Sequence, residues 1–351
     1  MFIYACTYIL LFLTGLIDTI NRNRKSIFFF IMLFLLICHD GLRWETGTDW
    51  EDYYNAFNRC LLYDFEYFEI GYVILMRFIR IFTDEYTFFL LFHAVCIYSL
   101  IGSFLWKYSP IPTLSLFFLY SFTLPLLGMN RQYLALAICI FSLCFVFQRK
   151  FLPFLLCIIF AFLFHKSALL FIPAYFLNRE YSLRTYLIWI IVAITISFSG
   201  IIRILPDKYV LFLFPEEYST YVDVINISIF SKILGIIRKL IWIVFAYYIL
   251  KREVRPYGFS LFFNLYFVAT IGYLLLNGTL FQIIVARGLI YYTIFEVLVL
   301  TYIVANISTT SNKKAYLYLI ALYYAIFLYK NISYYTEGSF NYFIPYKFFF
   351  Q

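Results

Sequence analysis

Apolar stretches long enough to cross a bilayer recur along the whole chain, and no other feature limits its fold as tightly. Crossing roughly 30 Å of hydrocarbon takes about 20 helical residues, and only helices or closed barrels satisfy their backbone polar groups there. Such windows predict helices near 2–20, 26–44, 86–106, 110–128, 130–148, 150–165, 167–178, 185–202, 233–250, 257–276, 280–304 and 314–329. Each half of 150–178 is short of a full span, so that stretch can instead form one pair of short helices. The expected fold is an all-α integral membrane protein, one polytopic domain with about twelve transmembrane helices. Composition agrees, because 64% hydrophobic, 24% aromatic and only 13% charged residues leave too little polar material to coat a water-soluble body of 351 residues.

The short connectors Arg22-Asn23-Arg24-Lys25, Lys107, Arg149-Lys150, Arg179 to Arg184, Lys251-Arg252 with Arg255, and Lys313-Lys314 all fall on one side of this arrangement. By the positive-inside rule that side is the cytoplasm and both termini lie outside. The net charge of +8 is thus absorbed by topology and points to no nucleic acid. All but four of the 19 carboxylates fall on the outer face, the exceptions being Asp18, Glu180, Glu253 and Glu296. The long polar segments 40–85, 203–232 and 330–351 also fall there, so chemistry is expected outside. No inner loop exceeds about ten residues, and neither a Walker A pattern nor GxGxxG occurs, which excludes an ATP-driven pump. Cys60 is the one clear loop cysteine, so no intrachain disulfide framework is expected. The first apolar run lacks a basic leader and a cleavage site, and is expected to remain as a helix.

The densest polar segment, His39 to Tyr53, follows a run of twelve apolar residues, Ile27 to Cys38. Those span only about 18 Å at ~1.5 Å each, so a complete crossing draws His39, Asp40 and Arg43 to the edge of the hydrocarbon, where polar groups normally face a cavity. The plainer reading is a helix end followed by a solvated acidic loop, with Trp44 and Trp50 as interfacial anchors. Glu69-Ile70-Gly71-Tyr72 opens an amphipathic stretch, with Arg77, Arg80 and Asp84 on one face, that reads as an interfacial helix. Met129-Asn130-Arg131-Gln132 occupies a tight outer turn, and Ala286-Arg287-Gly288 puts a cation inside the penultimate apolar region. Arginines at such depth either pair with a carboxylate or wait for an anionic substrate, and a guanidinium can hold phosphate through two hydrogen bonds. In this arrangement Arg43, Arg131 and Arg287 converge. Of the histidines, His93 reads as a packed core residue and His39 is ambiguous, whereas His165 adjoins Lys166 and Ser167 at an outer helix break where a neutral imidazole can take a hydroxyl proton. No histidine spacing suits zinc. Asp49-Trp50-Glu51-Asp52 could hold a divalent ion, but an acidic solvated loop accounts for it as well and no metal site is expected.

The segments GLRWETGTDWEDYYNAF, EIGYVILMRF, MNRQYLALAI, FHKSALLFIPAY, FQIIVARGLIYY and the terminal IPY, taken in order, resemble the landmarks of the EpsG family of Wzy-type bacterial polysaccharide polymerases, from Arg43 to Tyr346. The glutamate of EIGY lacks the proline that often follows it in that family. The resemblance implies a GT-C-like polytopic glycosyltransferase in the bacterial inner membrane with its active site facing the periplasm. Its donor and acceptor would be undecaprenyl-diphosphate-linked oligosaccharides of O-antigen, capsule or exopolysaccharide. It would need no cofactor, and a chain-length regulator and a flippase would be its associated proteins. In that frame Arg43, Arg131 with Gln132, and Arg287 would hold the diphosphate, Asp49, Glu69 or His165 would be the general base, and Tyr53 or Tyr72 would line the acceptor groove. A ligase or another membrane glycosyl- or acyltransferase would share such a site, whereas a flippase would carry charge along a central pore on both sides.

Overall fold

The computed structural model describes residues 1–21, 26–62, 68–204, 229–279, 281–334, 336–337 and 340–350. The basic connector 22–25 and most of the expected outer segment 203–232 lie outside the described residues. Seven helices are long and apolar enough to cross a membrane: Phe2–Asn21, Tyr86–Tyr108, Asn130–Phe147, Lys232–Leu250, Phe259–Leu276, Ile284–Ala305 and Thr310–Tyr334. The chain is therefore a multi-pass membrane protein, but among the described residues it has seven full-length spans in place of the expected twelve. Ile27–Gly41, Pro112–Gly128, Phe151–Phe162, Lys166–Leu177 and Leu183–Ser199 are apolar but shorter. The reasons are local. His39 and Asp40 close the first of these, Pro125 turns the second into a 3-10 segment, and the chain breaks at His165 between the third and fourth. The fourth is itself 3-10 with Pro173 inside, so 150–178 is a pair of short helices.

The chain forms two compact units, Met1–Leu169 with Val304–Gln351, and Leu170–Ile303. In the first, the helices are α1 (Phe2–Asn21), α2 (Ile27–Gly41), α3 (Trp50–Arg59), α4 (Ile70–Arg80), α5 (Tyr86–Tyr108), α6 (Pro112–Thr123), α7 (Asn130–Phe147) and α8 (Phe151–Phe162). Helix α6 is buried on nearly every side, and its Thr113, Ser115 and Ser121 hydroxyls are hydrogen-bonded inside the unit. It packs against α1 and α2, while α5 packs against α2 and α7, and α7 against α8. Asp18 on α1 accepts a hydrogen bond from Thr113 of α6 at 2.6 Å. Segment 50–59, expected as an acidic loop, is instead helix α3, which buries Trp50, Tyr53, Ala56 and Phe57. The interfacial reading of 69–84 corresponds to α4, which buries Gly71, Tyr72, Val73, Met76 and Ile79 and exposes Ile70, Ile74 and Phe78.

The C-terminal tail returns over the end of α2. Its strand β4 (Lys347–Phe348) pairs antiparallel with β1 (Arg43–Trp44), and a hairpin of β2 (Thr336–Glu337) and β3 (Phe340–Asn341) precedes it. The Tyr346 hydroxyl donates to the His39 carbonyl, and Tyr4 of α1 donates to the Phe343 carbonyl at 2.8 Å. The start of α1, the end of α2 and the tail are thereby brought to one end of this unit.

In the second unit α9 (Leu183–Ser199) and α10 (Ile229–Leu250) pack on α11 (Phe259–Leu276). A π-helical turn, Ile284–Gly288, then leads into α12 (Ile290–Thr293) and α13 (Glu296–Ala305). The span α14 (Thr310–Tyr334) follows and belongs to the first unit.

Candidate functional site

Four of the sequence landmarks meet at that end of the first unit because their backbones approach closely. The loop Thr46 to Thr48 lies against the 3-10 turn Leu124–Gly128, where a Cβ on Gly128 would meet the Thr48 nitrogen at 2.3 Å. Gly47 has φ +116°, a conformation open to glycine. At the start of α4, the Gly71 amide donates to the Leu163 carbonyl at 2.8 Å, and a Cβ there would meet that oxygen at 2.7 Å. This contact carries Glu69 to the break after α8, where its Oε1 accepts from the Lys166 amide at 3.4 Å and its Oε2 pairs with Nη1 of Arg131.

Arg131 sits in the first turn of α7 with its side chain 24% exposed, and Glu69 is 13% exposed. The Arg131 Nε donates to the Tyr53 hydroxyl at 3.3 Å, and the guanidinium lies 4.2 Å from the centre of the Phe68 ring. The guanidinium is thus held by a carboxylate, a phenol oxygen and an aromatic face, an arrangement whose chemistry suits an anion. Burial raises the Tyr53 phenol above its ordinary range, although Arg131 pulls the other way. Burial also holds Tyr72 well above it, so both are neutral at physiological pH.

Arg43, Gln132, Tyr53 and Tyr72 lie inside the protein, none more than 3% exposed. Arg43 makes a central tie. Its Nη2 donates to Asn130 Oδ1 at 2.6 Å and to the Leu127 carbonyl at 2.8 Å, its Nη1 to the Asp40 carbonyl at 2.5 Å and its Nε to the Thr46 carbonyl at 3.3 Å. These acceptors are neutral, so the buried cation is solvated by the protein itself. Asn130 is the residue that the sequence reading passes over. It receives Arg43 through its side chain and His93 Nε2 through its carbonyl at 3.1 Å. Its place next to Arg131 in the same outer turn was the available clue. The ambiguous His39 is buried, with its Nδ1 3.1 Å from Asp40 Oδ1, while Tyr98 donates to the other Asp40 oxygen at 2.7 Å.

His165 is half-buried, and its Nδ1 accepts from the Ser167 amide at 3.3 Å and lies 2.6 Å from the Ser167 hydroxyl. An amide can only donate, so a neutral ring held this way carries its proton on Nε2. Asp49 is half-buried at the start of α3, close enough to Tyr53 to raise its phenol further. Arg287 is half-buried within the π-helical turn of the second unit, a departure from α-helix that often marks functional positions. The structure thus gathers Arg43, Asp49, Tyr53, Glu69, Tyr72, Arg131, Gln132 and His165 in the first unit, with Arg287 in the second. Among the described residues no cluster of three or more potential metal ligands occurs.

No curated protein and no solved structure matches the chain. The sequence pattern of one family, EpsG, matches residues 26–348, which take in every landmark segment and both units. The chain belongs to the EpsG family and is a multi-pass membrane protein linked to polysaccharide biosynthesis.

Proposed function

We propose that this protein is a Wzy-type polysaccharide polymerase, a GT-C-like glycosyltransferase using undecaprenyl-diphosphate-linked glycans at the outer face of the bacterial inner membrane. The observation that carries the reading is the half-buried Arg131 and Glu69 pair, built by family landmarks at one end of the first unit and flanked by Tyr53 and His165. In the reaction the anomeric carbon of the growing chain breaks its bond to the lipid diphosphate and forms one to a hydroxyl oxygen of the incoming unit. The diphosphate leaves with the bonding electrons, and the hydroxyl proton passes to a base. Arg131 stabilises the charge growing on the diphosphate.

Buried Arg43 and Asn130 hold the turn that carries Arg131, Gln132 follows it inside the protein, and Tyr72 backs Tyr53. Glu69, with its oxygens held by a guanidinium and an amide, orients Arg131. His165, with its proton on Nε2, donates to a phosphate or sugar oxygen. The base assignment therefore goes to Asp49. A chain-length regulator and a flippase would work beside such an enzyme.

Purified protein given synthetic lipid-linked repeat units tests the reading. A ladder of products is expected, with Arg131→Lys and Asp49→Asn leaving only single units. Transfer of one unit to a different lipid would replace the proposal with a ligase, and unaltered units with the native protein would remove glycosyl transfer.

A further inference from the structure

The second unit holds a cavity of about 400 Å³ between α9 and α11, lined by none of the residues assigned above to catalysis, with Leu289 of its wall just past the turn that carries Arg287. Its walls are Trp189, Phe267, Val268, Ile271, Leu275 and Leu289, with Tyr181, Thr185 and Asn264 at one end. Along α11 it runs from Asn264 to Leu275, about 16 Å at ~1.5 Å per residue. That is about half of the roughly 30 Å hydrocarbon core, the depth of one leaflet. The groove is open to the membrane side, where Trp189 is 53% exposed.

Its polar end is strongly basic. Arg179, Lys251, Arg252 and Arg255 lie in the connectors before α9 and α11 and Arg184 in the first turn of α9, against only Glu180 and Glu253. Arg255 is drawn in over the groove's end, its Nη2 donating to the Tyr181 carbonyl at 2.9 Å and the Leu250 carbonyl at 3.1 Å, with Tyr186 beside it. Its Nε and Nη1 are buried and have no hydrogen-bond acceptor among the described residues. A guanidinium seldom leaves two buried donors unused. Thr185 adds a hydroxyl on the same rim. An apolar channel one leaflet deep, capped by a cation with spare donors, has the shape and polarity of a single lipid with an anionic head.

We propose that this groove binds one anionic phospholipid from the leaflet at the basic end, its phosphate on Arg255 and Thr185 and an acyl chain along α11. Rotation of the Arg255 side chain toward the phosphate satisfies the two idle donors. The site is independent of the glycosyl transfer reading, since no residue is shared.

The test uses the purified full-length protein in detergent, with phosphatidylglycerol, phosphatidylcholine or inorganic phosphate added and the melting temperature and retained lipid measured. Phosphatidylglycerol is expected to raise the melting temperature and to remain bound at about one molecule per chain after detergent exchange, with phosphatidylcholine weaker and inorganic phosphate without effect. Arg255→Ala should weaken the preference for phosphatidylglycerol by about fivefold, the contribution of one cation near a membrane surface. Val268→Trp, which fills the channel and leaves the basic end intact, should abolish retention, and Leu152→Trp, on the first unit, should not. Equal effects of the two phospholipids, an effect of inorganic phosphate alone, or retention unchanged in Val268→Trp would each overturn the proposal. Brominated-acyl phosphatidylglycerol should quench fluorescence that disappears in Trp189→Phe, and no such difference would also count against it.

Discussion

Arg43 and Arg131 are alike as letters in a sequence and opposite in use. Arg43 gives its donors to Asn130 and to carbonyls of Asp40, Thr46 and Leu127. A lysine keeps the charge at that point but cannot fork to Leu127 and Asn130 together. Each buried acceptor left without a donor costs about 1–3 kcal/mol. Arg43→Lys is therefore expected to lower the melting temperature of the purified protein by several degrees. Arg131→Lys, whose side chain is partly exposed and can keep its ion pair with Glu69, should melt close to the native protein while losing product ladders. If the two substitutions fall equally in stability, the division between a holding arginine and a reacting one is wrong. Nothing at the level of single letters separates them. What separates them is tertiary: the loop after Arg43 packs Gly47 against Gly128, and Arg43 reaches Leu127 and Asn130 inside the protein.

Among the helices, the long apolar ones were legible almost to their ends, because length and hydropathy leave few alternatives in a bilayer. The breaks were less so. A window average passes over Pro125, whose effect depends on backbone geometry, whereas the break at His165 was legible, and the twelve expected spans became seven among the described residues, with shorter apolar partners. Helix α3 was hidden for the opposite reason. Its buried Trp50, Tyr53 and Phe57 recur at i, i+3 and i+7, but Asp49 before them and Glu51 and Asp52 among them read as a solvated loop. The candidate site was legible as a set of motifs and illegible as a geometry, since Glu69 reaches Arg131 only through the docking of α4 on the end of α8. Gly71 makes that docking possible, which gives a test free of any ionisable group. Gly71→Ala would place a methyl 2.7 Å from the Leu163 carbonyl oxygen and cost about 1–3 kcal/mol as an overpacked contact. Loss of polymer is expected together with a modest fall in melting temperature, whereas Ile74→Ala on the exposed face of the same helix should change neither. Full polymer from Gly71→Ala would detach α4 from the chemistry.

At the scale of the whole molecule, sidedness connects the site to its proposed substrate. The full-length span α7 offers a compact measure of it, because Arg131 lies in its first turn and Arg149 and Lys150 follow its end, while α8 returns the chain to His165 and Lys166, all in one unit. Lys150 and Lys166 are both exposed, and the seven native cysteines are free but buried or partly buried, so introduced thiols stand out from the background. Basic residues at Arg149 and Lys150 favour the cytoplasm for that end. The Arg131 and Glu69 pair lies at the other, where Lys166 donates its amide to Glu69. In intact cells a membrane-impermeant maleimide is expected to label Lys166→Cys and to spare Lys150→Cys, with both labelled after permeabilisation. The reverse pattern would turn the anion site toward the cytoplasm. A lipid diphosphate already carried across the membrane could then not reach Arg131, and the polymerase reading would fail even if the same residues bound phosphate in detergent.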